Sequence, residues 1–381
     1  MFWEVLWPLA LGFLLSAGVQ TVVSKGAITR ALGRSDFRSA ALASVLGAAS
    51  SSCSYAAVAV ARSLFRKGAS FANAIIFEFA STNLVFELGL VLLILLGWQF
   101  VAAEFAGGIL MVLILWVVFK LTLGPRLVEA AKRQADLRIV GSTMEGHGEH
   151  DMSITDGPFL SRLFTGRAFT AISQYFYMDV YSLYIDIGLG FVIAGALAAW
   201  VPDSAWRAFF FSSNPAVNVW WGPLVGPFIS MISFVCSVGN VPLAVVLWNG
   251  GISFGGVISF IFADLIILPI LNIYRKYYGA RMSVYLLVTS YFAMAVAGFL
   301  IGVGFNLVGI APAHFHVSAL ETRPSWNYTS FLNVAFLLLM AAMLWRFMST
   351  GGPAMVRAMS HPGAGHDRHM HQEHSEHHDH H

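Results

Sequence analysis

Residues 236–264 read CSVGNVPLAVVLWNGGISFGGVISFIFAD, and residues 53–81 read CSYAAVAVARSLFRKGASFANAIIFEFAS. Laid on each other at an offset of 183 positions, the two stretches match at twelve of 29 positions without a gap. Cys53 and Cys236, the only cysteines of the chain, head the two copies. Each copy is an apolar segment interrupted by small or polar residues, with a Gly-x-Ser-Phe turn at Gly68 and at Gly251. A duplicated, interrupted apolar segment is the sequence mark of a transporter whose site lies at its helix breaks.

Working outward, 57% of the 381 residues are hydrophobic and 11% are charged. Soluble domains carry about 25% charged residues, so the chain reads as an all-α polytopic membrane protein. Apolar stretches long enough to span, roughly 17–25 residues, recur along most of its length. The net charge of +2 gives no reason to expect nucleic acid as a partner. The first segment has Glu4 where a signal peptide would carry Lys or Arg, and it reads as a retained span.

Spans are expected at 2–24, 71–98, 101–123, 180–201, 253–274, 283–310 and 329–348. The stretches 39–61 and 214–247 are apolar but broken, the first by Gly47 and Ser50 to Ser54, the second by Pro223, Pro227 and Cys236 to Pro242. This divides the chain into a first repeat (1–123), a polar insert (124–178), a second repeat (179–311), a connector with a last span (312–349) and a His-rich tail (350–381). Cytoplasmic connectors carry the Lys/Arg excess. Basic connectors at 25–38, 62–67, 124–178 and 275–281 then lie inside, so 39–61 must enter and return from the inside and 214–247 from the outside. The expected fold is two inverted-topology repeats, each with a broken or re-entrant helix, about 7–9 membrane segments in all, and a cytoplasmic C-terminus.

The candidate substrate-binding residues are Cys53, Ser54, Cys236, Ser237, Asn240 and Pro242. Two re-entrant tips entering from opposite faces can bring the cysteines together, and paired thiolates suit soft, thiophilic ions. A buried cysteine is also a small hydrophobe, and the two readings weigh about equally. Pro242 frees a backbone carbonyl one turn before it, and with the Asn240 amide this is a typical ligand set of a broken helix. Gly68 and Gly251, with Ser70 and Ser253, read as helix-start turns. Candidate coupling residues are Glu78, Asp264 and Glu87, because a carboxylate at membrane depth costs about 2.5–3.5 kcal/mol and is seldom incidental. On one continuous helix Glu78 and Glu87, nine residues apart, face opposite ways.

The tail from His361 holds nine histidines, and His366, His369, His371, His374, His377 and His378 are candidate loose ligands for a transition metal. No other cofactor is expected. No HExxH pair, Gly-x-Ser-x-Gly elbow or phosphate-binding loop occurs, so neither an enzyme nor an ATP-driven pump is expected.

The second copy, extended to CSVGNVPLAVVLWNGGISFGGVISFIFADLIILPILNIYRKYYG, resembles the second-half signature of the predicted-permease family that includes the organoarsenical efflux permeases (ArsP-type). SSCSYAAVAVARSLFRKGAS is similar to the first-half signature, keeping Cys53, Ser54 and the turn Lys67-Gly68-Ala69 but lacking the second cysteine, the Gly and the Pro of that pattern. The resemblance covers about 1–348. It implies an inner-membrane efflux permease whose cysteine meets trivalent organoarsenicals.

The function expected is thus secondary transport, exporting a thiophilic metal or metalloid species by proton-coupled alternating access. A channel or facilitator for a small solute is one alternative. A membrane sensor or partner in metal handling that uses the tail is another. The partners expected are a small-molecule or ion substrate and the lipid bilayer, and a homo-oligomer is compatible with the sequence.

Overall fold

The computed structural model describes residues 2–22, 32, 36–50, 54–66, 68–136, 165–233, 237–313 and 328–353. They form fifteen α-helices: α1 Phe2–Val22, α2 Phe37–Ser50, α3 Ser54–Arg66, α4 Phe71–Asn83, α5 Phe86–Leu95, α6 Trp98–Thr122, α7 Pro125–Asp136, α8 Gly166–Trp200, α9 Asp203–Phe209, α10 Pro215–Ser233, α11 Ser237–Asn249, α12 Phe254–Ile261, α13 Leu268–Tyr278, α14 Ala280–Val308 and α15 Tyr328–Ser349. A 3-10 turn, Phe262–Leu265, links α12 towards α13. Among the described residues, four helical stretches are long and apolar enough to cross a membrane, or five if α12 and α13, bent by 42°, count as one.

The helix limits follow the duplication. Helix α11 starts and ends 183 positions after α3, and α12 starts 183 positions after α4. Glycines with positive φ, Gly68 and Gly251, precede the helix-starting serines Ser70 and Ser253. Ser70 accepts from the Asn73 amide at 3.3 Å, whereas Ser253 makes no such bond. Packing repeats as well: α2 lies on α4 as α10 lies on α12.

Each half breaks a span in the middle, for different reasons. In the first, Ser81, Thr82 and Asn83 turn back onto the carbonyls of Glu78 and Phe79, competing with the backbone ladder. The chain then leaves helical geometry at Leu84 and Val85. In the second, Ala263 departs from helical angles and Ile267 is extended ahead of Pro269, which lies in the first turn of α13. The spans expected at 71–98 and 253–274 thus each hold an internal break: Phe71–Leu95 still counts as one stretch long enough to cross, and α12 with α13 is the bent pair.

Glycines set the closest contacts. A Cβ on Gly222 or Gly226 of α10 would meet α12 backbone at Gly256, and one on Gly298 of α14 would meet the Gly255 carbonyl. Helix α12 is thus gripped between two small-xxx-small faces, Gly222/Gly226 and Gly298/Gly302. Pro223 and Pro227 stand inside α10, each after a glycine that has no Cβ to clash with the proline ring.

Helix ends gather on two faces. On the first, Lys132 of α7 donates to the Phe65 and Arg66 carbonyls that end α3, and Gln134 donates to the Lys276 carbonyl of α13. Thr122 of α6 bonds Tyr285 of α14, and Arg346 of α15 donates to Thr170 of α8. On the second face, α9 packs on the end of α11 through Trp206 and Gly250. Asn218 of α10 donates to the Gly251 carbonyl, and Phe100 of α6 stacks edge-on with Trp248 and Phe254. Among the described residues, Arg207 of α9 is the one Lys or Arg at the second face.

Two sequence expectations shift here. Arg62 belongs to α3 rather than to a connector; it is buried, donates to the Ala135 carbonyl and lies 4.1 Å over the Tyr277 ring. Helix α8 begins at Gly166, well inside the stretch read as polar insert, because Thr165 caps it by accepting from Ala168.

Candidate functional site

The two breaks meet in the middle of the bundle. Asp264, fully buried in the 3-10 turn, accepts a 2.7 Å hydrogen bond from the Ser54 hydroxyl, the first residue of α3. Thr82 and Asn83, at the end of α4, also face this carboxyl. Asn83 in turn donates to Thr82 at 3.0 Å. One aspartate from the second half is therefore surrounded by hydroxyl and amide groups of the first.

Glu78 of α4 is equally buried and accepts a hydrogen bond from the Tyr274 hydroxyl of α13. Glu104 of α6 is 1% exposed, and neither of its oxygens has a hydrogen-bond partner among the described residues. Glu78 and Glu104 each lie within coulombic range of Asp264. Nearer the first face, Tyr278 stacks on Tyr274, and Arg62 covers Tyr277.

The second hairpin is tied differently. Asn240 of α11 donates to Ser230 at 3.0 Å, and Ser233 donates to the Asn240 carbonyl oxygen at 3.3 Å. The Asn240 amide thus holds α10 against α11. Pro242 is buried inside α11 and leaves the Val238 carbonyl without its usual i+4 donor. Ser237 opens α11, in register with Ser54 of α3. Glu87 stands in the first turn of α5, where a carboxylate complements the helix N-terminus. The break before α5 removes the continuous helix on which Glu78 and Glu87 were set on opposite faces.

Cys53, Cys236 and the tail histidines His366, His369, His371, His374, His377 and His378 lie outside the described residues. Among the described residues no group of three His, Cys, Asp or Glu side chains is arranged to hold a metal ion. The structure brings together Ser54, Glu78 and Asp264, and adds Glu104 and Tyr274, which sequence reading passed over. The span expected at 101–123 begins earlier than the sequence suggested, which moves Glu104 away from its end. Glu104 is six residues into α6, because the helix begins at Trp98.

A family profile described as "Predicted permease" (ArsP_1) matches residues 1–303. The chain belongs to this predicted-permease family. It is also 54% identical over 348 residues to "Putative permease Rv2963" of Mycobacterium tuberculosis, covering 91% of this chain and 86% of the relative. No solved structure matches. The permease is thus a multi-pass membrane protein of a transporter family rather than an enzyme.

Proposed function

We propose that this permease is a proton-coupled secondary transporter with two inverted-topology repeats, exporting a thiophilic metal or metalloid species by alternating access. The observation that carries the reading is the Ser54–Asp264 bond. It joins the tip of one half's hairpin to the mid-span break of the other, and buried carboxyls lie on either side of it. Broken helices meeting around polar groups at the midplane are the usual site of an inverted-repeat transporter.

The distribution of Lys and Arg supports taking the first face as cytoplasmic. On that assignment α2 and α3 dip in from the cytoplasm, and α10 and α11 dip in from outside. Seven segments cross: α1, α4 with α5, α6, α8, α12 with α13, α14 and α15. The C-terminal tail is then cytoplasmic, in the inner membrane of a bacterium. Cys53 directly precedes Ser54 and Cys236 directly precedes Ser237, so in sequence both thiols flank the hairpin tips. We assign Cys53, Cys236, Ser54, Ser237, Asn240 and the backbone before Pro242 to the substrate. Asp264, Glu78 and Glu87 we assign to coupling.

The test is flux into proteoliposomes under an imposed pH gradient. It offers trivalent organoarsenicals, Cu, Zn, Cd and Hg to wild type, Cys53→Ser and Cys236→Ser. Gradient-driven movement of a thiophile that drops at least tenfold in both variants supports the reading. If no thiophile moves and the variants behave as wild type, the soft-substrate reading fails. Flux that ignores the pH gradient would make the protein a facilitator.

A further inference from the structure

The site already described has carboxyls from α4 and from the 3-10 turn. Glu104 comes from a third element, α6, and the proposed function assigns it no role. Its placement is fixed by the residues one turn on. A Cβ on Gly107 would sit 2.9 Å from the Phe262 ring of the 3-10 turn, and one on Gly108 would sit 2.6 Å from Leu84 at the α4–α5 break. Residues 107 and 108 are therefore level with both breaks. Glu104, three and four residues earlier, is on the same face, about 5 Å nearer the second face at 1.5 Å per residue. Glu78 precedes the α4 break by six residues, about 9 Å towards the first face. Asp264 lies at the break between them, and both glutamates are within coulombic range of it.

We infer that Glu104, Asp264 and Glu78 form a proton ladder across the permease, with Glu104 as the group that exchanges protons with the second, outer face. The inference rests on the proton-coupled reading and adds to it the entry residue and the order of transfer. A buried carboxylate without donor or counter-ion is costly at membrane depth, so a group in that position serves by holding and passing on a proton. The Glu104 carboxyl gives its proton, by way of water, to the Asp264 carboxylate and takes the next from hydronium on the outer side. Asp264 passes its proton to the Glu78 carboxylate, which releases it to water on the cytoplasmic side, the side towards which its partner Tyr274 leads.

The groups packed around α6 do not compete for this role. Elements against it contribute Glu78 and Glu87 from α4 and α5, Asp264 from the 3-10 turn, Tyr285, Tyr291 and Arg281 from α14, and Arg38 at the first-face start of α2. Tyr285 is bonded to Thr122 and Tyr291 to the Leu224 carbonyl. Arg281 and the lysine of α6 itself, Lys120, lie at the first-face ends of their helices. Lys120 is sixteen residues from Glu104, about 24 Å along the axis.

The experiment reads protons without any substrate. Infrared spectra of purified protein in proteoliposomes are titrated in the carboxylic-acid carbonyl region for wild type, Glu104→Gln and Asp264→Asn. The ladder requires Glu104→Gln to remove one carbonyl component and to displace the titration of the remainder. It requires Asp264→Asn to displace the Glu104 component in turn. A Glu104→Gln spectrum that superimposes on wild type, or an Asp264→Asn titration that leaves the Glu104 component in place, overturns it. Should Glu104→Gln fail to fold, Glu104→Asp, which keeps a carboxyl at that position but moves its carbonyl band, identifies the component, and a Glu104→Asp spectrum that superimposes on wild type overturns the ladder. In the transport assay, Glu104→Gln should keep organoarsenical exchange at equal pH and lose gradient-driven accumulation at least tenfold, with Glu104→Asp restoring part of it. Loss of exchange together with accumulation would place Glu104 in the substrate site and overturn the ladder. A wild type that moves no organoarsenical sinks the transport reading alone.

Discussion

The grip on α12 can be tested by one methyl group. A Cβ built on Gly298 falls 2.6 Å from the Gly255 carbonyl oxygen, 2.7 Å from the Ser259 Cβ and 3.1 Å from the Ser259 amide nitrogen. Two of these are backbone atoms, so no rotamer change relieves them. Restoring an ordinary contact of 3.4 Å moves α14 off α12 by about 0.8 Å, a gap of the size that forfeits a quarter to a half of the dispersion energy along the seam. Overpacking of this kind costs about 1–3 kcal/mol. Gly304 lies six residues further along the same helix, and a Cβ there meets nothing within 4 Å. Both changes gain the same intrinsic helix propensity, roughly 0.8–1 kcal/mol, so the difference between them isolates the clash. Gly304→Ala should melt at or above wild type, and Gly298→Ala should melt a few °C below it, read by size-exclusion after heating the detergent-purified protein. Gly298→Ala melting at or above Gly304→Ala would show that α12 and α14 are not in backbone contact.

Other contacts make separate predictions. Ser54→Ala removes the hydroxyl that bonds the buried Asp264 carboxyl and should cost about 1–3 kcal/mol, the penalty for leaving a buried acceptor without its donor. Thermal melting at neutral pH would check it, and an unchanged midpoint would mean that the hairpin tip does not rest on Asp264. Lys132→Met leaves the Phe65 and Arg66 carbonyls without their α7 donor. Hydrogen exchange should then speed up at the end of α3 and stay unchanged in α11. Asn333 of α15 is inserted into the ladder of α1, accepting from the Trp7 amide and donating to the Trp3 carbonyl. Asn333→Leu should loosen α15 from α1, seen as a lower yield of crosslinks between cysteines placed on exposed positions of the two helices.

Much of the frame was legible in the sequence because duplication copies backbone geometry. Gly68 and Gly251 are both glycines in a positive-φ turn, and Ser70 and Ser253 both start a helix. Those features are local, so an offset alignment finds them. The mid-span breaks were harder to see. Pro269 signals the second, but the first depends on Ser81, Thr82 and Asn83 folding back on their own carbonyls, and polar residues in an apolar run do not announce which way they bond. Glu104 and Tyr274 were passed over for another reason. Each stands within a turn or two of a helix end, where a sequence reading places water. The structure nevertheless buries both.

The repeat is symmetric in its backbone and unsymmetric in its chemistry. The positions equivalent to Asp264, Glu78 and Arg62 are Ser81, Ile261 and Val245. Hence the aspartate at the centre has no twin, and the buried groups on its first-face side, Glu78 and Tyr274, have no counterparts in the exchanged half. An exchange of conformation between the halves would carry the breaks into each other's places, yet it would not carry the carboxyls with them. A proton resting on Asp264 therefore meets different partners towards the two faces: a tyrosine-bonded glutamate on one side, and a glutamate with no bonded partner among the described residues on the other. That inequality gives the ladder a direction that the duplicated backbone alone lacks.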